Sequence, residues 1–205
     1  MKHITLFTHT FKRLWDVTPP HKRSHIKFVV TRLIHLERAV KKDDPYADWA
    51  MLNIERAIFS LNEVTLTVMK RVHPEKSLQE VAQWLDVEPL IHLPEKETPR
   101  MAWLMLNSFQ KADRALLFAI GDLNMADISR TEFEQIKSQI VKAFHECIHV
   151  FHTHRTHVSG ITRQQYSDKQ GHTQKVINRL GVLPLEIEHA LERAEFAPHI
   201  TRTKK

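Results

Sequence analysis

Residues 43–49, Asp-Asp-Pro-Tyr-Ala-Asp-Trp, constrain the fold more than any other stretch, because three adjacent signals start a helix at one place. Asp44 is an N-cap acceptor, Pro45 sits where a missing N–H costs nothing, and Asp48 puts negative charge near the positive end of the helix dipole. The spacing predicts a helix from residue 45 to about Val72, ended by Pro74, with Ile54, Ala57, Ile58, Leu61, Val64, Val68, Met69 and Val72 on one stripe. Upstream, residues 28–42 predict a basic helix with Val29, Val30, Leu33, Leu36 and Val40 apolar. Two helices of opposite character therefore meet at one tight turn.

Charge is placed asymmetrically around that turn. Residues 1–42 hold ten Lys and Arg against Asp16 and Glu37, a net +8, so the other 163 residues of this +6 chain sum to −2. Such an imbalance is the footprint of a polyanion-binding face, since each phosphate neutralised releases counterions. The plainer reading is a solvated basic surface. With 205 residues, 42% of them hydrophobic, the chain is long enough to bury a sizeable core, and four glycines with few alternating β-branched runs favour a mainly helical protein. No apolar run is long enough to span a bilayer, and residues 1–10 lack the apolar segment of a secretory signal, so no membrane partner and a cytoplasmic location are expected. The single cysteine, Cys147, excludes an intramolecular disulfide and a cysteine-based metal cluster.

Two short strands are legible before the helix pair. Residues 2–10 alternate imperfectly, and Phe11 to Trp15 add one helical turn before Pro19-Pro20. Residues 21–28 alternate too, with Arg23, His25 and Lys27 on one face and Ser24, Ile26 and Phe28 on the other. Beyond Pro74, a capping box at Ser77 and Glu80 opens a short helix with Leu78, Val81, Ala82 and Leu85 inward, and residues 88–94 read as an edge strand or linker. Thr98-Pro99 starts a helix carrying Trp103, Leu104, Leu106, Phe109, Leu116, Leu117 and Ile120, which meets Gly121 at its end. A second box at Ser129 and Glu132 opens a helix with Phe133, Ile136, Ile140, Phe144, Cys147 and Phe151 on one stripe. These two form a C-terminal helical hairpin. Thr162 and Gln165 cap a further helix, Gly181 stops the next, and Pro184 starts a last one through Ala194.

The runs ITLFTHTFKRLW, DDPYADW, GITRQQY and RLGVLP with FAPHI lie between residues 4 and 200. Together they resemble a family encoded on bacterial integrating conjugative elements and plasmids that includes the AcaB-type transcriptional activators. The resemblance implies a ribbon-helix-helix regulator, in which a short strand pairs with its twin in a homodimer and the ribbon enters the DNA major groove. The expected architecture is mainly α, with a basic strand-helix-helix region over 1–73 and a helical region over 74–205 packed against it as one continuous unit. It further implies a bacterial, nucleoid-associated protein that is no enzyme, takes no cofactor, and meets double-stranded DNA, a second copy of itself and the transcription machinery.

Within that picture the residues divide by role. If 21–28 is the ribbon, Arg23, His25 and Lys27 project toward base edges; if 2–10 is, Lys2, His3 and Thr5 do. Lys12, Arg13, Lys22, Arg32 and Arg38 suit phosphate contact better than base readout. The rival reading is a non-enzymatic interaction protein of the transfer machinery, docking a partner through the hairpin while the basic N-terminus is merely solvated.

One motif points elsewhere. His145-Glu146-Cys147-Ile148-His149 matches the H-E-x-x-H signature of zinc peptidases, two imidazoles one helical turn apart beside a candidate general base. In a chain with 15 histidines such a pentapeptide arises easily by chance, and the extended form would need Gly and His where His152 and Arg155 stand. Helical spacing turns His145, His149 and His152 away from the apolar stripe, whereas a catalytic zinc needs a walled, partly dry pocket. The expectation is a histidine-rich surface with no metal site, and Cys147 as a core residue. Of the four tryptophans, Trp49, Trp84 and Trp103 are expected in the core and Trp15 at an interface.

Overall fold

The computed structural model describes residues 6–16, 25–86, 99–154, 157–169 and 171–201, with backbone only for 15–16, 25–28 and 30. Nine helices are present among them, and no strand: α1 (His9–Asp16), α2 (His25–Lys41), α3 (Pro45–Val72), α4 (Leu78–Leu85), α5 (Arg100–Asn124), α6 (Arg130–Thr153), α7 (Arg163–Ser167), α8 (Gly171–Leu180) and α9 (Leu185–Glu188). The mainly helical expectation holds, and no ribbon strand appears among the described residues.

Both candidate strands are corrected where they can be judged. In the 2–10 strand, the chain turns at Thr8 into α1: the Thr8 hydroxyl accepts the Phe11 N–H at 3.2 Å, as an N-cap does, and the Thr8 carbonyl accepts that of Lys12. Residues 1–5, with Lys2, His3 and Thr5, lie outside the described residues. In the 21–28 strand, His25 to Phe28 form the first turn of α2, while Lys22 and Arg23 lie outside the described residues. His25 and Lys27 are thus helical. The sequence carried a sign of this, because Ile26, Val29, Leu33, Leu36 and Val40 recur every three to four residues, the period of a helix. The edge strand or linker at 88–94 also falls outside the described residues.

The central element is α3, which packs against α2, α4, α5, α6 and α9. Its predicted stripe is buried at Ile54, Ile58, Leu61, Val68 and Met69, and one apolar cluster runs from Leu6 to Ala194. Phe11 of α1 joins it edge-on to Phe144, 5.3 Å between centroids, with Phe109 4.6 Å from the same ring. Next to Phe11, the fully buried Asp113 carboxylate of α5 accepts the Thr8 N–H at 3.0 Å, the Thr8 hydroxyl at 2.6 Å and the Phe7 N–H. That carboxylate fastens the N-terminal segment to the middle of the molecule.

Helix ends follow the local chemistry closely. The boxes at Ser77–Glu80, Ser129–Glu132 and Thr162–Gln165 each have both hydrogen bonds formed. Gly181 ends α8 at φ +88°. Four details differ from expectation. Leu78 and Leu117 are exposed rather than inward, and Trp49, Trp84 and Trp103 are half-buried at the core's edge. The helix through Gly121 continues to Asn124. The last helix is a single turn, because Ala190 turns left-handed at φ 55° and the Leu191 N–H reaches back to the Glu186 carbonyl at 2.7 Å.

Candidate nucleic-acid interface

The site is built at the turn between α2 and α3. The turn closes as a Schellman motif: Asp43 takes φ 64°, its N–H reaches the Val40 carbonyl, and the Asp44 N–H reaches that of Ala39. Asp44 then caps α3, its Oδ1 accepting the N–H groups of Tyr46 and Ala47 at 3.0 and 3.2 Å. The same buried carboxylate also takes the Ser159 hydroxyl at 2.7 Å, the Ser159 N–H at 2.8 Å and the Gly160 N–H at 2.9 Å. One side chain therefore starts a helix and holds a loop more than a hundred residues away.

Arginines complete the fastening. Arg163 donates to the carboxylates of Asp43 and Asp48 and to the Ile187 carbonyl, and its N–H meets the Asp43 carbonyl at 3.0 Å. Arg193 donates to Asp48 at 2.7 Å and to the Pro198 carbonyl at 3.0 Å. Asp48 is only 1% exposed, so two guanidinium groups compensate one desolvated charge. Tyr46, wholly buried, donates its hydroxyl to the Gly181 carbonyl at 2.5 Å and meets Tyr166 edge-on, while the Tyr166 hydroxyl accepts the Leu183 N–H. Burial pushes the Tyr46 phenol well up, with Tyr166 and Asp44 adding to the effect. Hence Asp43–Trp49, Gly160–Tyr166, the 179–184 run and Pro198 form one knot. Three of the motifs that set this sequence apart are adjacent in space.

The knot shapes a groove beside the C-terminal end of α2. Leu33, Leu36, Ala39 and Val40 are buried, which leaves His35, Arg38, Lys41 and Lys42 outward. A concavity of about 1310 Å³ is lined by Arg38, Lys41, Lys42, Thr162, Gln164, Ser167, His189 and Thr201 together with the acidic Asp43 and Glu188, and a neighbouring one of about 410 Å³ by residues that include His35, Arg38, Lys42, Asp44, Val158 and Thr162. Arg38 and Lys42 stand on both. Neither has an acidic partner among the described residues, whereas Lys41 pairs with Glu37 at 3.5 Å and Arg163 is spent on Asp43 and Asp48. The C-terminal segment returns here too, the Thr201 N–H reaching the Lys41 carbonyl at 2.9 Å. Exposed cations without acidic partners can meet phosphates.

The structure brings only part of the expected set together. Arg38 lies on the groove, and Arg32 is half-buried on the same helix. Lys12 and Arg13 are exposed on α1, outside the groove lining. Lys41, Lys42 and His35 also line these concavities, and the sequence marked them only by charge and by their place at the end of the basic helix. His145, Glu146 and His149 lie exposed on α6, and no cluster of three or more metal-donor side chains occurs among the described residues. Cys147 is buried, and burial raises its thiol to about 12. Among the described residues no helix is long and apolar enough to cross a membrane.

No curated protein and no solved structure matches the chain. A family model described as transcriptional regulator AcaB matches residues 1–201, nearly the full length. The match takes in both the basic helix and the whole knot that shapes its groove, and on that coverage the chain belongs to the AcaB family of transcriptional regulators.

Proposed function

We propose that the protein binds duplex DNA as a homodimer and activates the transfer genes of a conjugative element. The observation that carries this reading is the pair Arg38 and Lys42, two exposed cations without acidic partners among the described residues, on a groove whose far wall is fastened by Asp44 and Arg163. A preformed cationic groove holds phosphates without first ordering its own backbone. Arg202, Lys204 and Lys205 follow directly after Thr201 in the sequence and add to the charge. Lys12, Arg13 and Arg32 extend the phosphate-facing set. Base contact falls to Arg23, His25 and Lys27, or to Lys2, His3 and Thr5, and Lys22 joins the phosphate-facing set. Family membership supports a regulator rather than an enzyme; dimerisation, activation, conjugative targets and contact with the transcription machinery follow from the resemblance to AcaB-type activators.

Duplex binding measured by fluorescence anisotropy at several salt concentrations tests the reading. Arg38→Ala/Lys42→Ala is expected to weaken all duplexes alike and to flatten the salt slope by about 0.9 for each phosphate that is no longer neutralised. Arg23→Ala/Lys27→Ala should instead erase discrimination between a cognate site and random duplex, a base contact being worth about 1–3 kcal/mol. Light scattering at micromolar concentration should give twice the chain mass. Salt-insensitive or absent binding to every duplex would overturn the proposal in favour of an interaction protein of the transfer machinery.

A further inference from the structure

The chain from α9 to Phe196 turns leucines outward although it is fastened tightly to α3. Leu185 and Leu191 are 66% and 79% exposed. They are neighbours, because α9 ends in a Schellman motif: the Ala190 N–H reaches the Ile187 carbonyl and the Leu191 N–H that of Glu186, a closure that brings Leu191 back alongside Leu185. The pair does not stand on a loose end. Ile187 is buried, Glu192 pairs with Arg56 of α3, Arg193 donates to Asp48, and the Glu195 and Phe196 N–H groups are donated to the buried Glu55 carboxylate at 3.1 and 2.9 Å. Phe59, 42% exposed, lies one turn from Arg56 on the same face of α3 and adds an aromatic ring. Large apolar side chains held in water by a well-fastened frame mark a surface that another molecule covers.

Charge decides what kind of molecule. Residues 182–196 contain four glutamates, at 186, 188, 192 and 195, and one arginine, Arg193, a net −3 on a chain of +6, and Arg193 is spent on Asp48. Glu186, Glu192 and Glu195 are exposed around the leucines. That sign repels phosphates and anionic lipid headgroups. A second copy docked about a twofold axis through the same leucines would set these glutamates against their own counterparts. A helix with an apolar face and flanking lysines or arginines meets both the leucines and the glutamates at once. We propose that this patch docks a basic amphipathic helix of another protein. The inference is independent of DNA binding, since Leu185, Leu191 and Phe59 do not line the basic groove.

Fluorescence anisotropy of a labelled synthetic helix of leucine and lysine, with its leucines on one face, titrated with the full chain tests the proposal; the same helix with glutamate in place of lysine is the control. The lysine helix should bind saturably at one site per chain, and the glutamate helix at least about tenfold more weakly. Leu185→Ser/Leu191→Ser should weaken the lysine helix about tenfold or more while the melting temperature is kept, since both side chains stand in water. Glu186→Gln/Glu195→Gln should weaken it several-fold and reduce its salt dependence. No saturable binding up to about 1 mM, or an affinity that Leu185→Ser/Leu191→Ser leaves unchanged, would overturn the proposal. So would light scattering that gives a dimer for the parent and a monomer for the leucine variant, because the patch would then be the chain's own interface. If the leucine variant does not fold, Glu186→Gln/Glu195→Gln decides alone: an unchanged affinity and salt slope overturn the proposal.

Discussion

Ser159 donates both its hydroxyl and its backbone N–H to the carboxylate of Asp44, at 2.7 and 2.8 Å, across 115 positions of sequence. The contact ties the loop that precedes α7 to the N-cap of α3, so the groove beside Arg38 and Lys42 inherits its shape from a helix cap. A cap that accepts five hydrogen bonds is more than a local device.

Asp44→Ala removes the cap and the loop anchor together. Removing a cap costs about 1 kcal/mol, and unsatisfied buried donors to a charged acceptor add about 2 kcal/mol. We expect a destabilisation of about 3 kcal/mol in urea unfolding, and a melting temperature lower by about 6–12 °C. Asp44→Asn keeps one acceptor oxygen and should lose about half as much.

Ala126 and Ala190 end α5 and α9 in the left-handed region, at φ 63° and 55°. An L side chain there is disfavoured by about 1–2 kcal/mol, and glycine returns part of that through greater freedom in the unfolded chain. Ala126→Gly, at an exposed position, should stabilise the protein by about 0.5–1 kcal/mol in equilibrium unfolding. Ala190→Gly should stabilise less, because Ala190 is partly buried and its methyl packs.

His154 and His157 stack edge-on, 4.4 Å apart, and both meet Trp49 at about 6 Å. Burial, and then the neighbouring His157, lowers His154 from 6.5 to about 4, and burial also lowers His157, with Arg179 opposing its charge further. A native pKa below the unfolded value means that the unfolded chain takes up protons first, so stability falls as the pH drops from 6.5 towards 4. The urea midpoint should decline over that window. In His154→Gln/His157→Gln the decline between about pH 6.5 and 5 should flatten, and superimposable curves would refute a neutral native pair.

Cys147, with its thiol raised to about 12 and its side chain in the core, stays protonated at neutral pH. Iodoacetamide at about pH 8 should label it only as fast as the chain opens, and fully in denaturant. Labelling of the native protein at the rate of a free thiol would contradict the burial.

Much of the helical frame was legible because its causes are local. The caps at Asp44, Ser77, Ser129 and Thr162 act over three residues, and the stripes of α3 and α6 repeat every turn, so composition and spacing determined where these helices begin and which face they bury. The concentration of positive charge in the first 42 residues was likewise a property of the chain alone. Tertiary structure decided the rest. A helix closes its hydrogen bonds within one segment, whereas a strand needs a partner that no local pattern guarantees, which is why residues 25–28 joined α2. The grip of Asp44 on Ser159, of Arg163 on Asp43 and Asp48, and of Glu55 on Phe196 joins residues 115 to 141 positions apart. Interactions of that span leave no periodic trace, because only packing of α3 against its neighbours brings their partners within reach.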